Sequence, residues 1–129
     1  MKFLVTGSAG LIGSQVVTDL VQQNHTVYSC YHNTKPLQGI PTPLDLSDEI
    51  QIIQTLQEII PDRIIHLAAM TDVDLCETEE ELATLINTKA TEILAKQAAK
   101  QNIFFLYVST DYVFDGINGI KKEYDPLNP

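Results

Sequence analysis

The 129-residue sequence predicts an α/β domain built on a doubly wound parallel sheet, and three observations carry that prediction. A short apolar run, Phe3-Leu4-Val5, stands near the N-terminus, as in a strand buried on both faces. Gly7, Gly10 and Gly13 follow with the spacing G-x-x-G-x-x-G and lead into a helical apolar pattern. Beyond them strand-like and helix-like stretches alternate, which implies right-handed βαβ units. With the glycine loop after the first strand, the expected strand order is 3-2-1-4-5. This is a Rossmann-like arrangement over residues 1–129, truncated after strand five.

Each element follows from its own stretch. Leu11 to Gln23 places Ile12, Val16 and Leu20 in one helical row with Val17 and Val21 beside it, and Asn24-His25 closes that helix. Thr26 to Tyr31 is rich in β-formers and reads as the second strand. His32 to Pro43 holds three prolines and a glycine, so it reads as loop, with a short third strand near Ile40 to Leu44. Ser47 is the expected N-cap of a second helix whose first turn carries Asp48 and Glu49. Ile52, Ile53, Leu56, Ile59 and Ile60 mark its apolar face, and Pro61 stops it. Arg63 to Ala68 reads as the fourth strand and Ala69 to Glu77 as loop. A long helical region follows from about Thr78 to Gln101, and Ile103 to Val108 is the fifth strand. From Ser109 onward the pattern is irregular.

Composition narrows the function classes. Hydrophobic residues make up 44% and charged residues 19%, which fits one globular core and argues against disorder. The formal net charge of −9 disfavours a nucleic-acid partner, and Lys121-Lys122 beside Glu123 and Asp125 makes no basic patch. No apolar run approaches the ~20 residues of a membrane span, and Met1 leads directly into the first strand without room for a signal peptide. Cys30 and Cys76 form no metal or redox motif and read as reduced thiols, so a cytoplasmic location without a metal site is expected.

The glycine loop carries the chemistry. In a strand–turn–helix that holds a dinucleotide, the first glycine permits the tight turn and the middle one lets backbone approach a pyrophosphate. The third lets the helix pack on the strand. The free N–H groups of the new helix, at the positive end of its dipole, face the phosphates. Ligands in such sheets lie outside the carboxyl ends of the strands, where the loops carrying Gly7–Gly13, Ala68–Thr71 and Ser109–Asp111 converge.

The G-x-x-G-x-x-G variant resembles the phosphate loop of extended short-chain dehydrogenase/reductases, and two further blocks sharpen the resemblance. His66-Leu-Ala-Ala-Met-Thr-Asp-Val-Asp-Leu-Cys-Glu77 is followed by Ala83, Asn87, Ala90 and Leu94-Ala95, and then by Ser109-Thr-Asp-Tyr-Val-Phe-Asp-Gly116. Together they resemble the dTDP-4-dehydrorhamnose reductase family over nearly the whole chain. Related epimerases and dehydratases usually carry Phe-Ile-Gly and Ser-Ser-x-x-Val-Tyr-Gly; this chain has Leu-Ile-Gly and Ser-Thr-Asp-Tyr-Val-Phe. The resemblance implies reduction of the 4-keto group of a nucleotide-linked deoxysugar with a nicotinamide cofactor. It implies that Gly7, Gly10, Leu11, Ile12 and Gly13 hold the pyrophosphate, and that Asp45 and Leu46 sit by the adenine. Ala68, Ala69 and Met70 would line the adenine-ribose and nicotinamide path, although close packing at a strand end accounts for the alanines equally well. Thr110 would be the catalytic hydroxyl that binds the substrate carbonyl, with Asp111 near the sugar. A turn ending the strand is the plainer role for both. Asn87 would support neighbouring backbone.

Cofactor choice rests on the end of strand two. Domains that bind NAD place an acid ~20 residues past the glycines to accept from the ribose 2′-hydroxyl. Here no acid stands between Asp19 and Asp45, and the second strand ends in Tyr31-His32-Asn33-Thr34-Lys35. Asn33 and Lys35 are thus the residues expected at the adenosine ribose. His32 or Lys35 would attract a 2′-phosphate, unless Lys35 is merely a solvated loop charge. The balance favours NADP(H), with NAD(H) as the alternative.

Reduction in this superfamily also uses a Tyr-x-x-x-Lys pair on a helix after strand five, a general-acid arrangement. Tyr31 and Lys35 have that spacing but fall at a strand end before a proline, on no helix. The family's pair follows a stretch like Asp125-Pro-Leu-Asn-Pro129, where this sequence stops. Two expectations follow. In one, the chain is the cofactor-binding part of a longer reductase of a nucleotide sugar, inactive alone, with a homodimer left open. Its fifth strand then lacks the usual sheet neighbour, an association-prone edge. In the other, it is a non-catalytic dinucleotide-binding or regulatory module resembling the methionine adenosyltransferase regulatory subunit.

Overall fold

β1 (Lys2–Thr6) is the central strand of a five-stranded parallel sheet with the order β3-β2-β1-β4-β5. The computed structural model describes residues 1–117 and 119–128. After β1 come α1 (Leu11–Gln22), β2 (Thr26–Tyr31), β3 (Ile40–Pro43), α2 (Glu49–Ile59) and β4 (Arg63–His66). The connection to β5 (Phe104–Tyr107) holds α3 (Val73–Thr78), α4 (Glu80–Ala83), a π-helical segment Thr84–Lys89 and α5 (Ala90–Lys100). A single 3-10 turn, Asp111–Val113, follows β5. The expected strand order is the observed one. Pro129, where the sequence expectation places the break, lies outside the described residues.

The strand period of two divides the core. Leu4 of β1 stands beside Tyr28 and Ile64 in the register and joins Cys30, Ile52, Leu56 and Leu94 in a cluster beneath α2 and α5. Phe3 and Val5 point the other way and pack with Val17 and Val27 beneath α1. Sheet and helices thus bury both faces of β1, as its continuous apolar run requires. The outer strands differ. β3 blunts its edge with Pro41 and Pro43, whereas β5 leaves Phe104 and Leu106 exposed.

Three local readings need correction. The α2 cap is Asp48, whose carboxylate accepts from the Gln51 N–H at 3.0 Å. Ser47 instead turns both its N–H and hydroxyl onto Asp45. The expected loop Ala69–Glu77 contains α3, capped by Asp72, whose side chain accepts from the Leu75 N–H. The expected long helix is broken at Glu79 and widened to a π-helix at Thr84–Lys89. Apolar periodicity persists across such irregularities, so it could not reveal them.

Candidate functional site: a cleft across the carboxyl ends of the strands

The loops after β1, β2 and β4 meet around a cleft of about 820 Å³. Its floor is the glycine loop. Gly7 sits at φ +66°, and a Cβ there would meet the Ala68 nitrogen at 2.8 Å. A Cβ on Gly13 would overlap the Gly7 carbonyl, so the start of α1 can lie against β1 only with glycine at that position. Ser8 is buried and ties the loop to the end of β2, its hydroxyl donating to the Cys30 carbonyl at 2.7 Å. The first N–H groups of α1 have no partner within the helix and no side-chain cap, and Gly10 to Gly13 line the cleft. Leu11 and Ile12 are exposed along it, so Ile12 serves the cleft rather than the helix's packed row.

One end of the cleft is formed by the turns after β2 and β3. Asn33, Asp45 and Leu46 line it, together with His32 and Thr34. Asp45 Oδ1 accepts from the Ser47 hydroxyl at 2.7 Å and from the Ser47 N–H at 2.8 Å. These donors, the hydroxyl foremost, hold its carboxyl below the ordinary range, and His32 stands 4.0 Å from Oδ2, where its protonated form adds to the effect. Lys35 is exposed and does not line the cleft. It belongs to the solvated loop.

The opposite wall is the loop after β4, where Ala68, Ala69 and Met70 line the cleft. Two groups pin this loop. The Thr6 hydroxyl oxygen accepts from the N–H groups of Leu67 and Ala68 at 3.1 and 3.2 Å. The Asn87 carboxamide, presented by the π-helical segment, accepts from the Met70 N–H at 2.7 Å and donates to the Met70 carbonyl at 3.0 Å. The structure thus shows the expected support of backbone by Asn87. Between the pins lies His66, fully buried, with Nδ1 2.6 Å from Thr6 Oγ1 and Nε2 2.9 Å from Thr91 Oγ1. Burial pulls its pKa from the ordinary 6.5 down to about 4, so it is neutral at physiological pH. Sequence reasoning used His66 only as part of a motif; a lone ring between Ile65 and Leu67 in a buried strand was the available signal.

Thr110 and Asp111 stand apart from this arrangement. Val108 lines the cleft, but these two do not. The Thr110 hydroxyl donates to Asp111 Oδ1 at 3.2 Å and accepts from the Tyr112 N–H at 3.3 Å, capping the 3-10 turn. That is the turn geometry their residue types favour. Among the described residues no His, Cys, Asp and Glu cluster could hold a metal, and no helix is long and apolar enough to cross a membrane. Cys30 and Cys76 are both free thiols.

A parallel sheet of this order, with a glycine loop ending its central strand and a cleft across the carboxyl ends, defines a Rossmann-like domain. The chain belongs to the RmlD substrate binding domain family, whose model matches residues 1–129. It is 40% identical over 131 residues to the probable low-salt glycan biosynthesis reductase Agl14 of Haloferax volcanii, covering 100% of this chain and 44% of that protein. It is also 40% identical over 131 residues to methionine adenosyltransferase 2 subunit beta of Xenopus laevis, covering 98% and 38%. Among solved structures it matches a hypothetical dTDP-4-dehydrorhamnose reductase from Sulfolobus tokodaii with a TM-score of 0.91 and 37% identity. That match covers 100% of this chain and 46% of the other. A dTDP-4-dehydrorhamnose reductase from Bacillus anthracis in complex with NADP matches with a TM-score of 0.74 and 33% identity, covering 89% and 38%. The chain therefore spans less than half the length of these relatives.

Proposed function

We propose that this chain is the cofactor-binding part of an NAD(P)H-dependent reductase acting on a 4-keto nucleotide sugar. The observation that carries the reading is the cleft itself, an open groove over a glycine loop that side chains at Gly7 or Gly13 would obstruct or distort. The residues fit a dinucleotide along its length. The loop Gly7–Gly13 offers backbone N–H groups to a pyrophosphate, and the ionised Asp45 can accept from an adenine amine. Ala68 and Ala69 leave a small-residue wall for flat rings. A bound nicotinamide would supply hydride chemistry. This chain's residues would bind it, orient it and shield one face from water.

Thr110 is the proposed hydroxyl for the substrate carbonyl, with Asp111 beside it. To donate to that carbonyl, Thr110 must give up its bond to Asp111. NADP(H) is the favoured cofactor, because no carboxylate lines the turn after β2, where His32, Asn33 and Thr34 stand, and because the Bacillus anthracis reductase was solved with NADP. The Asn33→Asp substitution tests this. A new carboxylate there should cost NADPH about tenfold in affinity relative to NADH through repulsion of the 2′-phosphate. An unchanged NADPH/NADH ratio would contradict the placement.

A second reading has its own support in the 40% identity to the Xenopus subunit. In it, the cleft holds a dinucleotide without turnover, within a regulatory protein. The native gene product separates the two: oxidation of NADPH that requires a 4-keto nucleotide sugar supports the reductase. Dinucleotide binding without any such oxidation supports the module.

A further inference from the structure

We propose that His66 is a positioning residue for the dinucleotide, linking the two pins on the Leu67–Met70 wall into one hydrogen-bonded unit. The inference rests on the cofactor reading above but reaches a residue that does not line the cleft. The direction of every bond follows from which groups can only accept. The Asn87 carbonyl can only accept, so the Thr91 hydroxyl, 3.0 Å away, donates to it. Thr91 Oγ1 is then an acceptor toward His66, and Nε2 must carry the ring proton. Nδ1 is left as an acceptor and takes the Thr6 hydroxyl proton. The lone pairs of Thr6 are thereby turned to the N–H groups of Leu67 and Ala68.

One neutral tautomer therefore satisfies the whole chain, from Ala68 through Thr6, His66 and Thr91 to Asn87, whose carboxamide closes on Met70. The other tautomer would leave Nε2 and Thr91 Oγ1 facing each other without a proton. The ring is clamped against the Phe105 and Tyr107 rings at 6.1 and 5.6 Å between centroids. No charged side chain is among these contacts. β1, β4, β5 and α5, and through Thr91 the π-helical segment, are thus joined through one imidazole to the backbone that forms a cleft wall. Such a network fixes a unique arrangement when every member is satisfied and loosens as a unit when one is removed.

The test uses Thr91→Val, nearly isosteric and not among the residues that line the cleft, with Thr91→Ser as the conservative control. Three readouts are taken: amide exchange of Leu67 to Met70 without ligand, NADPH affinity, and the His66 ring nitrogen shifts by NMR. The expected result is Nε2–H in the wild type. Thr91→Val should speed exchange at these amides and weaken NADPH by about tenfold each, the scale of one lost buried hydrogen bond. Thr91→Ser should restore both. An Nδ1–H tautomer, or Thr91→Val with wild-type exchange and affinity, would overturn the proposal. Wild-type protein that binds no dinucleotide at all would instead sink the cofactor reading, leaving the exchange and tautomer readouts to judge the network alone.

Discussion

Three residues decide most of the site's character, and each does so by a different force. Gly13 acts by absence, since any side chain would enter the Gly7 carbonyl. Asp45 acts by charge: two Ser47 donors keep it ionised while Oδ2 faces His32. His66 acts by being neutral. The unfolded chain takes up a proton at this ring near the ordinary 6.5, whereas the fold resists until about 4, so acid favours unfolding. The contribution is full above pH 6.5 and is lost as pH falls from there toward 4. Between pH 7 and 5 it should remove about 2 kcal/mol of stability. Urea unfolding at the two pH values should show that loss in the wild type and a smaller one in His66→Gln. Equal losses would contradict the burial of a neutral ring. The glycines were legible in the sequence because a strand that turns at once into a closely packed helix needs backbone free of side chains at those positions. The partners of Asp45 and His66 were not, because Ser47 and Thr91 acquire meaning only through folding. Lys35 stands exposed outside the cleft lining, a placement its charge alone could not reveal.

At the scale of elements, the helix ends show how local sequence and backbone agree or conflict. α1 and α5 close with Asn24 and Asn102 in the left-handed region, at φ 61° and 55°. In each case the following N–H returns to a carbonyl of the last turn, His25 to Leu20 and Ile103 to Ala98. α2 also ends on a left-handed residue, but that residue is the β-branched Ile60 at φ 47°, whose own N–H donates to the Leu56 carbonyl, and Pro61 after it has no N–H to return. Ile60 is exposed, so little packing offsets that strain. Ile60→Asn should raise stability by about 1 kcal/mol, measured by thermal or urea unfolding. A loss of similar size would mean that the isoleucine's contacts outweigh its backbone. Strands and main helices were legible because their periodicity spans many residues. α3 and the π-helical segment were not, since a six-residue helix and one widened turn barely alter an apolar pattern.

The whole molecule is a Rossmann-like sheet covered by helices on both faces, with one outer strand left exposed. α1 covers Phe3 and Val5 of β1 and Val27 of β2, while α2 and α5 cover the other face. Phe104 and Leu106 on the outer strand β5 remain exposed. Most of the cleft's lining comes from the ends of β1, β2, β3 and β4, with Leu75, Leu82 and Ile86 of the β4–β5 connection and Val108 just after β5 completing it. The central claim, that this cleft holds a nicotinamide dinucleotide through its glycine loop, therefore applies to the 129-residue chain itself. The most direct measurement is a titration of that chain with NADPH, followed by nicotinamide fluorescence or calorimetry, beside Gly10→Asp. The middle glycine has only the Gly7 carbonyl near its would-be Cβ, at 3.3 Å, so the fold should accept the change while the carboxylate repels a pyrophosphate. Saturable binding by the wild type, lost in a folded Gly10→Asp, is the predicted result. No binding by the wild type, or equal binding by both, would contradict the claim.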